Sequence, residues 1–431
     1  MTRWTIHVCS RNHNVILNKR LPKWLAQYSA VILLIAVLVN LASSFTQYTH
    51  SLTLPSMQTS LGLSYTQIGT LITVAWVVRN VSSFAAGTLA PRYGSRIIVG
   101  VSTLAAGGAM LLLAASDNFW TAMLAMIITG LGSGAALTPM MGLLSPWFEA
   151  GNRGVAAGFA SAGGSVAFVV SGLLVPWLTD RDPMHGWQHT WFVFGVLVIG
   201  IRILSLIFIK NPPATASDTE AGQHRPTRSR WPLAAYKNPL VWMVTFLVFL
   251  SGWSQGVFHT FFATFIIREH DVDMSYAGLL VISMGVLGAF SGILSGSISD
   301  RIGRGQAFFI TFFLQTVGYG LVWIVPGGWA FILCAVLIGL TFRSSYVICA
   351  ASAGDYVHRT YAAAAFGLMS VGAGLGTTIS PVLAGVIADA SGSLRWTFIL
   401  PSGAAGIAMF GSLFLHSLTQ NRKAAEDAKN A

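Results

Sequence analysis

Long apolar segments separated by short polar turns dominate the chain. Each apolar run of about 20 residues or more is long enough to cross a bilayer as one helix. Lipid offers the backbone no hydrogen-bond partner, so these segments are expected to be helices and not isolated strands. The predicted helices cover residues 27–52, 66–90, 96–116, 119–144, 154–178, 190–210, 239–267, 275–299, 305–325, 329–354, 361–388 and 395–418.

The pattern repeats once along the chain. A shift of 209 residues places the second six segments over the first six without a gap, with Gly278 over Gly69 and His259 over His50. The same shift superposes further pairs: Gly296 on Gly87, Arg301 on Arg92, Gly303 on Gly94, Gly339 on Gly130, Gly367 on Gly158, Ser370 on Ser161 and Asp389 on Asp180. A duplicated membrane unit is typical of secondary transporters, whose site lies between two moving halves.

The pattern therefore predicts an all-α membrane protein with twelve transmembrane helices in two six-helix, pseudo-symmetric halves. The halves are residues 27–210 and residues 239–418. A polar segment, 211–238, contains several prolines and is expected to be a flexible cytoplasmic linker. Residues 1–26 and 419–431 are predicted to be cytoplasmic tails.

Composition and charge agree with a membrane protein. Hydrophobic residues make up 54% of the chain and charged residues only 9%, against about 25% charged in soluble domains. Lysine and arginine concentrate on one side, and the opposite side holds only Arg181, Arg268 and Arg395. This bias predicts a multi-pass protein of the bacterial inner (plasma) membrane with both termini in the cytoplasm. The net charge of +11 follows from the same bias, so it does not indicate nucleic-acid binding.

Two short basic turns occupy equivalent positions in the halves. The first reads GTLAPRYGSR and the second GSISDRIGR. Both resemble the G-x-x-x-D-R-x-G-R signature of the major facilitator superfamily, and the resemblance extends over residues 27–418. The signature positions are Gly87, Arg92 and Gly94 in the first turn and Gly296, Asp300, Arg301, Gly303 and Arg304 in the second.

The resemblance implies alternating access, a gating role for both turns, and a cavity lined by helices 1, 4, 7 and 10. The first turn departs from the signature because Pro91 stands where the pattern has Asp. A gating contact made by that Asp is therefore not expected in the N-terminal half.

The distribution of charge inside the membrane indicates the substrate. None of the 14 Asp and Glu residues falls at mid-membrane, because all of them lie on the outer or the inner side of the predicted spans. In contrast, Arg79 in helix 2 and Arg343 in helix 10 lie about 20 Å from a helix end at 1.5 Å per residue. An ionisable side chain at that depth is costly and marks a functional site by default. A guanidinium stays charged and matches a carboxylate, so the two arginines predict an anionic substrate.

The repeat supports this interpretation because neither arginine is duplicated. Arg343 falls over Gly134, and Arg79 falls over Gly288. Charges added to one copy of a shared scaffold favour a role in substrate binding over a role in the fold. The alternative, that either arginine only bonds carbonyl groups of a neighbouring helix, stays open.

Polar and aromatic residues surround the predicted anion site. Helix 1 carries Asn40, Gln47 and His50 on one face, and helix 7 carries Gln255 and His259 on one face. We predict that the amides orient the substrate. Histidine has an unperturbed pKa of about 6.5, so the two histidines are candidates for proton coupling; simple hydrogen bonding between helices is the alternative for each.

Two aromatic side chains share a helix face with an arginine. Trp76 precedes Arg79 by three residues, and Tyr346 follows Arg343 by three. We predict that they contact the organic body of the substrate. Packing between helices is the alternative for both.

We predict a secondary active transporter of a small organic anion, a carboxylate, with proton-coupled uptake, acting as a monomer in the lipid bilayer. The sequence contains no phosphate-binding loop, catalytic triad or metal-ligand spacing, so we expect neither enzymatic activity nor a cofactor or metal. One alternative is an exporter of hydrophobic compounds, which the lack of a mid-membrane acid and of a Gly-Pro dipeptide in helix 5 disfavours. The other is a non-transporting membrane sensor on a transporter frame.

Overall fold

Helices account for almost all of the described chain. The structure, a computed structural model, describes residues 23–93, 95–144, 153–182, 184–208, 236–325, 327–357 and 361–430. The helices of the N-terminal half are α1 (Lys23–Leu61), α2 (Tyr65–Tyr93), α3 (Ser95–Ala114), α4 (Phe119–Leu144), α5 (Arg153–Thr179) and α6 (Gly186–Phe208). The C-terminal half contains α7 (Pro239–Glu269), α8 (Met274–Ile302), α9 (Arg304–Ile324), α10a (Gly328–Thr341), α10b (Ser344–Tyr356), α11 (Ala362–Ser391) and α12 (Ile399–Asn430).

These helices confirm the predicted architecture. Twelve helical segments of the described chain, with α10a and α10b counted as one, are long and apolar enough to cross a membrane. The protein is therefore a multi-pass membrane protein with six spans in each half. Most of the predicted N-terminal tail and of the predicted linker lie outside the described residues. The helix α12 continues to Asn430, through the segment predicted to be a C-terminal tail.

Several helix ends carry the capping residues expected from local chemistry. Asn238 precedes Pro239 and accepts a hydrogen bond from the backbone N–H of Leu240, which begins α7. Asp273 caps α8 in the same way through the N–H of Ser275. Gly392 ends α11 with φ of +72°, a conformation that glycine adopts without steric cost. These caps set where α7 and α8 begin and where α11 ends.

The tenth span differs from the sequence prediction of one continuous helix over 329–354. It is interrupted at Phe342 and Arg343, between α10a and α10b. The backbone N–H of Arg343 donates to the hydroxyl of Ser291 on α8, at 3.1 Å. A partner from another helix thus satisfies this N–H, which permits the interruption in a membrane segment.

The two halves meet along helix pairs that the repeat relates. The helix α2 packs on α11, α5 packs on α8, and α1 contacts α7. Backbones come very close where glycines face each other. A Cβ added to Gly172 of α5 would lie 2.6 Å from the carbonyl oxygen of Gly278 on α8. Small residues of this kind allow close packing of membrane helices.

Polar contacts join the halves at the predicted outer side. The carboxylate of Asp389, at the end of α11, accepts hydrogen bonds from the backbone N–H groups of Tyr65 (2.9 Å) and Thr66 (2.8 Å), which begin α2. Its repeat equivalent, Asp180, which directly follows α5, accepts a hydrogen bond from the hydroxyl of Ser275 at the start of α8, at 3.3 Å. We call these the outer carboxylate contacts. They hold both cross-half helix pairs together at one end.

Candidate functional site

Four of the predicted site residues line one small cavity in the N-terminal half. Gln47 and His50 come from α1, and Trp76 and Arg79 come from α2. The helix α4 closes the cavity with small and polar side chains. The other lining residues are Thr46, Ile72, Ala75, Met126, Thr129, Gly130 and Ser133. The cavity volume is about 20 Å³, which is room for about one water molecule, so an organic substrate requires this region to widen.

Arg79 lines that cavity, and the described residues leave part of the hydrogen-bonding capacity of its guanidinium unsatisfied. Its guanidinium carbon lies 5.3 Å from the centroid of the Trp76 ring, a cation–π distance. Among the described residues, the buried Nη1 atom of Arg79 has no hydrogen-bond partner, and neither does the hydroxyl of Thr129 beside it. A buried donor without an acceptor is costly. The arrangement is suited to a ligand that supplies acceptor oxygens.

Arg343 lies between the halves. It stands at the junction of α10a and α10b, and its Nη2 donates to the carbonyl oxygen of Ser161 on α5, at 3.2 Å. A Cβ added to Gly164, one turn further along α5, would lie 2.8 Å from Nη2 of Arg343 and 3.2 Å from the hydroxyl of Ser44 on α1. The guanidinium therefore sits across the interface, against α5 and close to α1.

The two arginines occupy equivalent helix crossings in the two halves. Gly134 of α4 is the repeat equivalent of Arg343, and a Cβ on it would lie 2.1 Å from the carbonyl oxygen of Arg79. Gly288 of α8 is the repeat equivalent of Arg79, and a Cβ on it would contact the ring of Phe342 at 3.1 Å. Each crossing thus pairs a glycine on one helix with an arginine, or its immediate neighbour, on the other. The arginine comes from the second helix of one half and from the fourth helix of the other.

Neither of these arginines belongs to an ion pair of the described residues. Arg304 shows the contrast, because its guanidinium contacts Asp300 at 2.6 Å and Asp355 at 2.7 Å. Within the described part of the chain, no carboxylate therefore balances the charge of Arg79 or of Arg343.

The predicted amides have protein partners. Asn40 is buried and donates to the carbonyl oxygen of Ala160 on α5 at 2.8 Å. The amide of Gln47 donates to the carbonyl oxygen of Ser43 at 3.1 Å. On α7, Gln255 donates to the hydroxyl of Ser251 at 3.3 Å. Asn40 thus fixes α1 against α5, whereas only Gln47 of the three lines the cavity around Arg79.

The two histidines have different surroundings. His50 lies in the cavity with Arg79. His259 sits among aromatic rings of both halves, with ring centroids 5.9 Å from Tyr48, 5.8 Å from Phe168 and 5.2 Å from Phe342. Its Nε2 atom is buried and has no hydrogen-bond partner among the described residues. The structure therefore does not place the histidines in one shared polar site.

Tyr346 lies apart from the cavity around Arg79. Its side chain is 56% exposed, and its ring packs edge-to-face on Phe366 of α11 at 5.3 Å. Trp76, in contrast, is partly buried and stays within reach of Arg79.

The second basic turn has the geometry expected of a structural junction. Gly303 ends α8 with φ of +90°, in a region that favours glycine. Arg304 bonds Ser299 at 2.6 Å in addition to its two carboxylates. Gly296 lies against Val347 of α10b, and Arg301 is exposed. In the first turn, Gly87 and Arg92 fall in the last turns of α2, and Gly94 lies outside the described residues.

Sequence reasoning missed several groups that the structure brings to the site. Thr129 and Ser133 line the Arg79 cavity from α4, and their spacing of four residues next to Gly130 and Gly134 was a usable signal. Ser161, the acceptor for Arg343, gave no such signal. Contacts between distant segments cannot be read from spacing within one helix.

Comparisons with known proteins agree with this architecture. The family model described as the Major Facilitator Superfamily matches residues 36–258 and 244–431. A probable sulfoacetate transporter of Cupriavidus necator is 24% identical over 395 residues, which cover 85% of this chain and 89% of that protein. The membrane sensor protein UhpC of Escherichia coli is 24% identical over 391 residues, which cover 84% of this chain and 86% of the sensor.

The fold is also similar to a solved structure. A crystal structure of a bacterial homologue of the human lysosomal transporter Spinster, in an inward-facing and occupied conformation, superposes with a TM-score of 0.76. The sequence identity is 14%, and the match covers 90% of this chain and 97% of that one. At this identity the likeness concerns the fold.

Proposed function

The chain belongs to the major facilitator superfamily, and from this premise we propose that it is a secondary active transporter of a small organic anion. The observation that carries the proposal is the pair of guanidinium groups of Arg79 and Arg343. Each lies near mid-membrane at an equivalent helix crossing, and neither belongs to an ion pair of the described residues. The similarity to a probable sulfoacetate transporter supports an anionic substrate.

The residues around the arginines give the proposal its chemistry. Arg79 and Arg343 bind anionic oxygens, because a guanidinium presents several N–H donors in a fixed plane. Gln47 and Thr129 line the same cavity as Arg79 and supply further polar contacts. Trp76 packs on the guanidinium and on the carbon skeleton of the substrate.

We propose that this conformation is the stage of an alternating-access cycle in which the predicted outer side is closed. The halves are joined at the predicted outer side by Asp389 and Asp180. Arg268 of α7 adds hydrogen bonds to the carbonyl of Pro55 and the hydroxyl of Thr59 on α1. With the outer side closed, the substrate leaves toward the predicted cytoplasmic side.

We propose uptake coupled to protons. An anion entering against a negative-inside membrane potential requires a co-transported cation. His50 lines the substrate cavity, and His259 lies where aromatic rings of both halves meet. Histidine is the side chain whose unperturbed titration falls closest to neutral pH, so these two are the proposed proton carriers.

Uptake into proteoliposomes tests the proposal. A panel of radiolabelled organic acids is offered under an inward proton gradient to the wild type and to Arg79→Gln, Arg343→Gln and Arg181→Gln. Arg181 is the matched control because it is an exposed arginine that packs on Trp177 at the outer side. We expect uptake of at least one acid by the wild type and the control, with a loss of tenfold or more in both site variants. Uptake of no acid by the wild type would contradict the proposal.

The similarity to a membrane sensor protein favours a second candidate function, ligand sensing without transport. A sensor binds the anion but does not carry it across the membrane. Equilibrium binding of the labelled acids to the purified protein, measured beside uptake, separates the two. Binding that depends on Arg79 and Arg343 without any uptake or exchange would establish the sensor.

A further inference from the structure

We propose that the bound anion carries two separated negative groups, one held by Arg79 of the N-terminal half and the other by Arg343 of the C-terminal half. This inference rests on the proposed function and narrows the substrate to a class, the small dianionic acids such as dicarboxylates and sulfocarboxylates.

The first argument is charge balance. All acidic residues of the chain lie outside the predicted spans, and neither Arg79 nor Arg343 belongs to an ion pair of the described residues. An uncompensated charge at mid-membrane is costly. A monoanion neutralises one guanidinium and leaves the other unpaired, whereas a dianion neutralises both. The occupied site is therefore most stable with a substrate of charge −2.

The second argument is the position of the two arginines along α1. Arg343 and the hydroxyl of Ser44 lie against the same residue, Gly164. Arg79 lines its cavity together with Gln47 and His50. From Ser44 to Gln47 and His50 the helix rises roughly 5 to 9 Å at 1.5 Å per residue. The two guanidinium groups thus face different turns of α1, which suits two anionic groups separated by a short carbon chain better than one doubly charged group.

The third argument is the polarity of the surface between them. Along the turns of α1 near Arg343 and near Arg79, this helix carries four polar residues: Asn40, Ser43, Ser44 and Gln47. Three of these side chains already use polar atoms within the protein: Asn40 donates to the carbonyl of Ala160, Ser44 donates to Asn40 at 3.5 Å, and Gln47 donates to the carbonyl of Ser43. The carbonyl oxygen of Gln47 and the Ser44 hydroxyl can still serve the body of a substrate between the arginines.

A dianion bound in this way links the halves directly. Arg79 moves with α2 and α4, to which it is packed, and Arg343 moves with α8, which accepts its backbone N–H. Only a substrate with groups at both ends contacts both arginines at once. Closure of the halves around the substrate is then favoured by the dianion and not by its singly charged analogue.

Competition with a size-matched series tests the inference. The unlabelled competitors are succinate, its monoamide succinamate, butyrate, sulfoacetate and glycerol 3-phosphate. Each competes with the best labelled acid of the panel for exchange in proteoliposomes held at neutral pH. We expect succinate or sulfoacetate to compete roughly 10- to 100-fold better than succinamate, the ratio that corresponds to one charge-assisted contact.

The same competition experiment is then repeated with the arginine variants. In Arg79→Gln and in Arg343→Gln one anionic group has lost its partner, so the preference for succinate over succinamate should fall to within about threefold. Arg181→Gln should keep the wild-type preference. Binding of the same series to detergent-purified variants gives the ratios for any variant that no longer exchanges substrate.

Three results would overturn the inference. Equal competition by succinate and succinamate in the wild type means that one charge suffices, while anion transport itself stands. Competition by glycerol 3-phosphate but by neither succinate nor sulfoacetate means that the site binds one doubly charged group. Full retention of the preference in both glutamine variants means that other residues read the second charge. Failure of the proposed function is distinguishable, since no acid of any charge would then be exchanged.

Discussion

At the residue scale, the central feature is the pair Arg79 and Arg343. Each half supplies one of these arginines, at the crossing of its second and fourth spans. The close approach of α4 to α2 depends on Gly130 and Gly134, where an added Cβ would lie 2.6 Å and 2.1 Å from backbone oxygens of α2. That approach brings Thr129 and Ser133 of α4 to the cavity of Arg79. The position of the guanidinium is thus set by a backbone contact and not by an ion pair.

Substitution of Gly134 tests this dependence. In Gly134→Ala the new methyl group collides with the backbone of Arg79, so α2 and α4 must separate. Overpacking of this kind costs about 1–3 kcal/mol, and we expect a lower unfolding temperature in detergent together with strongly reduced anion uptake. Gly108→Ala is the control, because nothing lies within 4 Å of a Cβ at Gly108. Wild-type uptake and stability in Gly134→Ala would show that the crossing is not tightly packed.

Spacing along a helix predicted which side chains share one face, and that part of the prediction has a clear physical reason. Spacings of three and four residues place side chains on one helical face, and the structure brings Gln47 and His50 of α1 to the same cavity as Trp76 and Arg79 of α2. Their role in substrate binding stays a prediction. The structure adds the partners that come from other helices, such as Ser161 for Arg343 and Phe168 for His259. Those pairs are separated by 182 and by 91 positions, and no local spacing encodes them.

At the element scale, the tenth span shows how a neighbouring helix changes a local preference. The apolar run over 329–354 predicted an uninterrupted helix, yet the helix is interrupted at Phe342 and Arg343. The hydroxyl of Ser291, fully buried on α8, accepts the N–H that the break sets free. The break places the guanidinium of Arg343 against α5.

Removal of that hydroxyl tests the role of the break. In Ser291→Ala the N–H of Arg343 loses its acceptor, a cost of about 1–3 kcal/mol for a buried donor. We expect a lower unfolding temperature and a raised KM for the transported anion, as Arg343 shifts from its position. The control is Ser295→Ala, one turn further on α8, where the hydroxyl bonds only its own helix at Gly292. An unchanged KM in Ser291→Ala would mean that the break does not position Arg343.

The ends of the spans were less predictable than their centres. Apolar length located all twelve spans, but α1 runs to Leu61, well past the predicted end at residue 52. Pro55 lies inside this helix, and its carbonyl accepts a hydrogen bond from Arg268. Arg268 of the other half thus contacts the part of α1 that follows residue 52. Hydropathy along one segment cannot predict such a contact.

At the scale of the whole molecule, the duplication explains how the two halves are joined at the predicted outer side. The carboxylates of Asp389 and Asp180 are repeat equivalents; Asp389 accepts hydrogen bonds from two backbone N–H groups at the start of α2, and Asp180 accepts one from the hydroxyl of Ser275 at the start of α8. Negative charge is favourable at a helix N-terminus. Two weak contacts at equivalent positions therefore close both helix pairs symmetrically, and they can open without breaking a buried ion pair.

Neutralising one of these carboxylates should shift the equilibrium between open and closed forms. Asp389→Asn removes the charge that interacts with the N–H groups of Tyr65 and Thr66. Since the carboxylate is exposed, we expect an effect near 1 kcal/mol, or roughly fivefold in the population open to the outside. Distances between spin labels across the outer ends of α2 and α11 measure this population.

The control for the charge change is Asp117→Asn, whose exposed carboxylate at the outer side accepts a hydrogen bond from Asn118. It should leave the distance distribution unchanged. A distribution in Asp389→Asn identical to that of the wild type would contradict a gating role for the outer carboxylate contacts.

The most direct test of the account is exchange of a labelled organic anion across proteoliposome membranes without any ion gradient. Exchange isolates substrate binding and alternation from the question of coupling. We predict exchange by the wild type and by Arg181→Gln, and loss of exchange in both Arg79→Gln and Arg343→Gln variants that remain folded. Wild-type exchange rates in either site variant would contradict the assignment of the two arginines to the substrate.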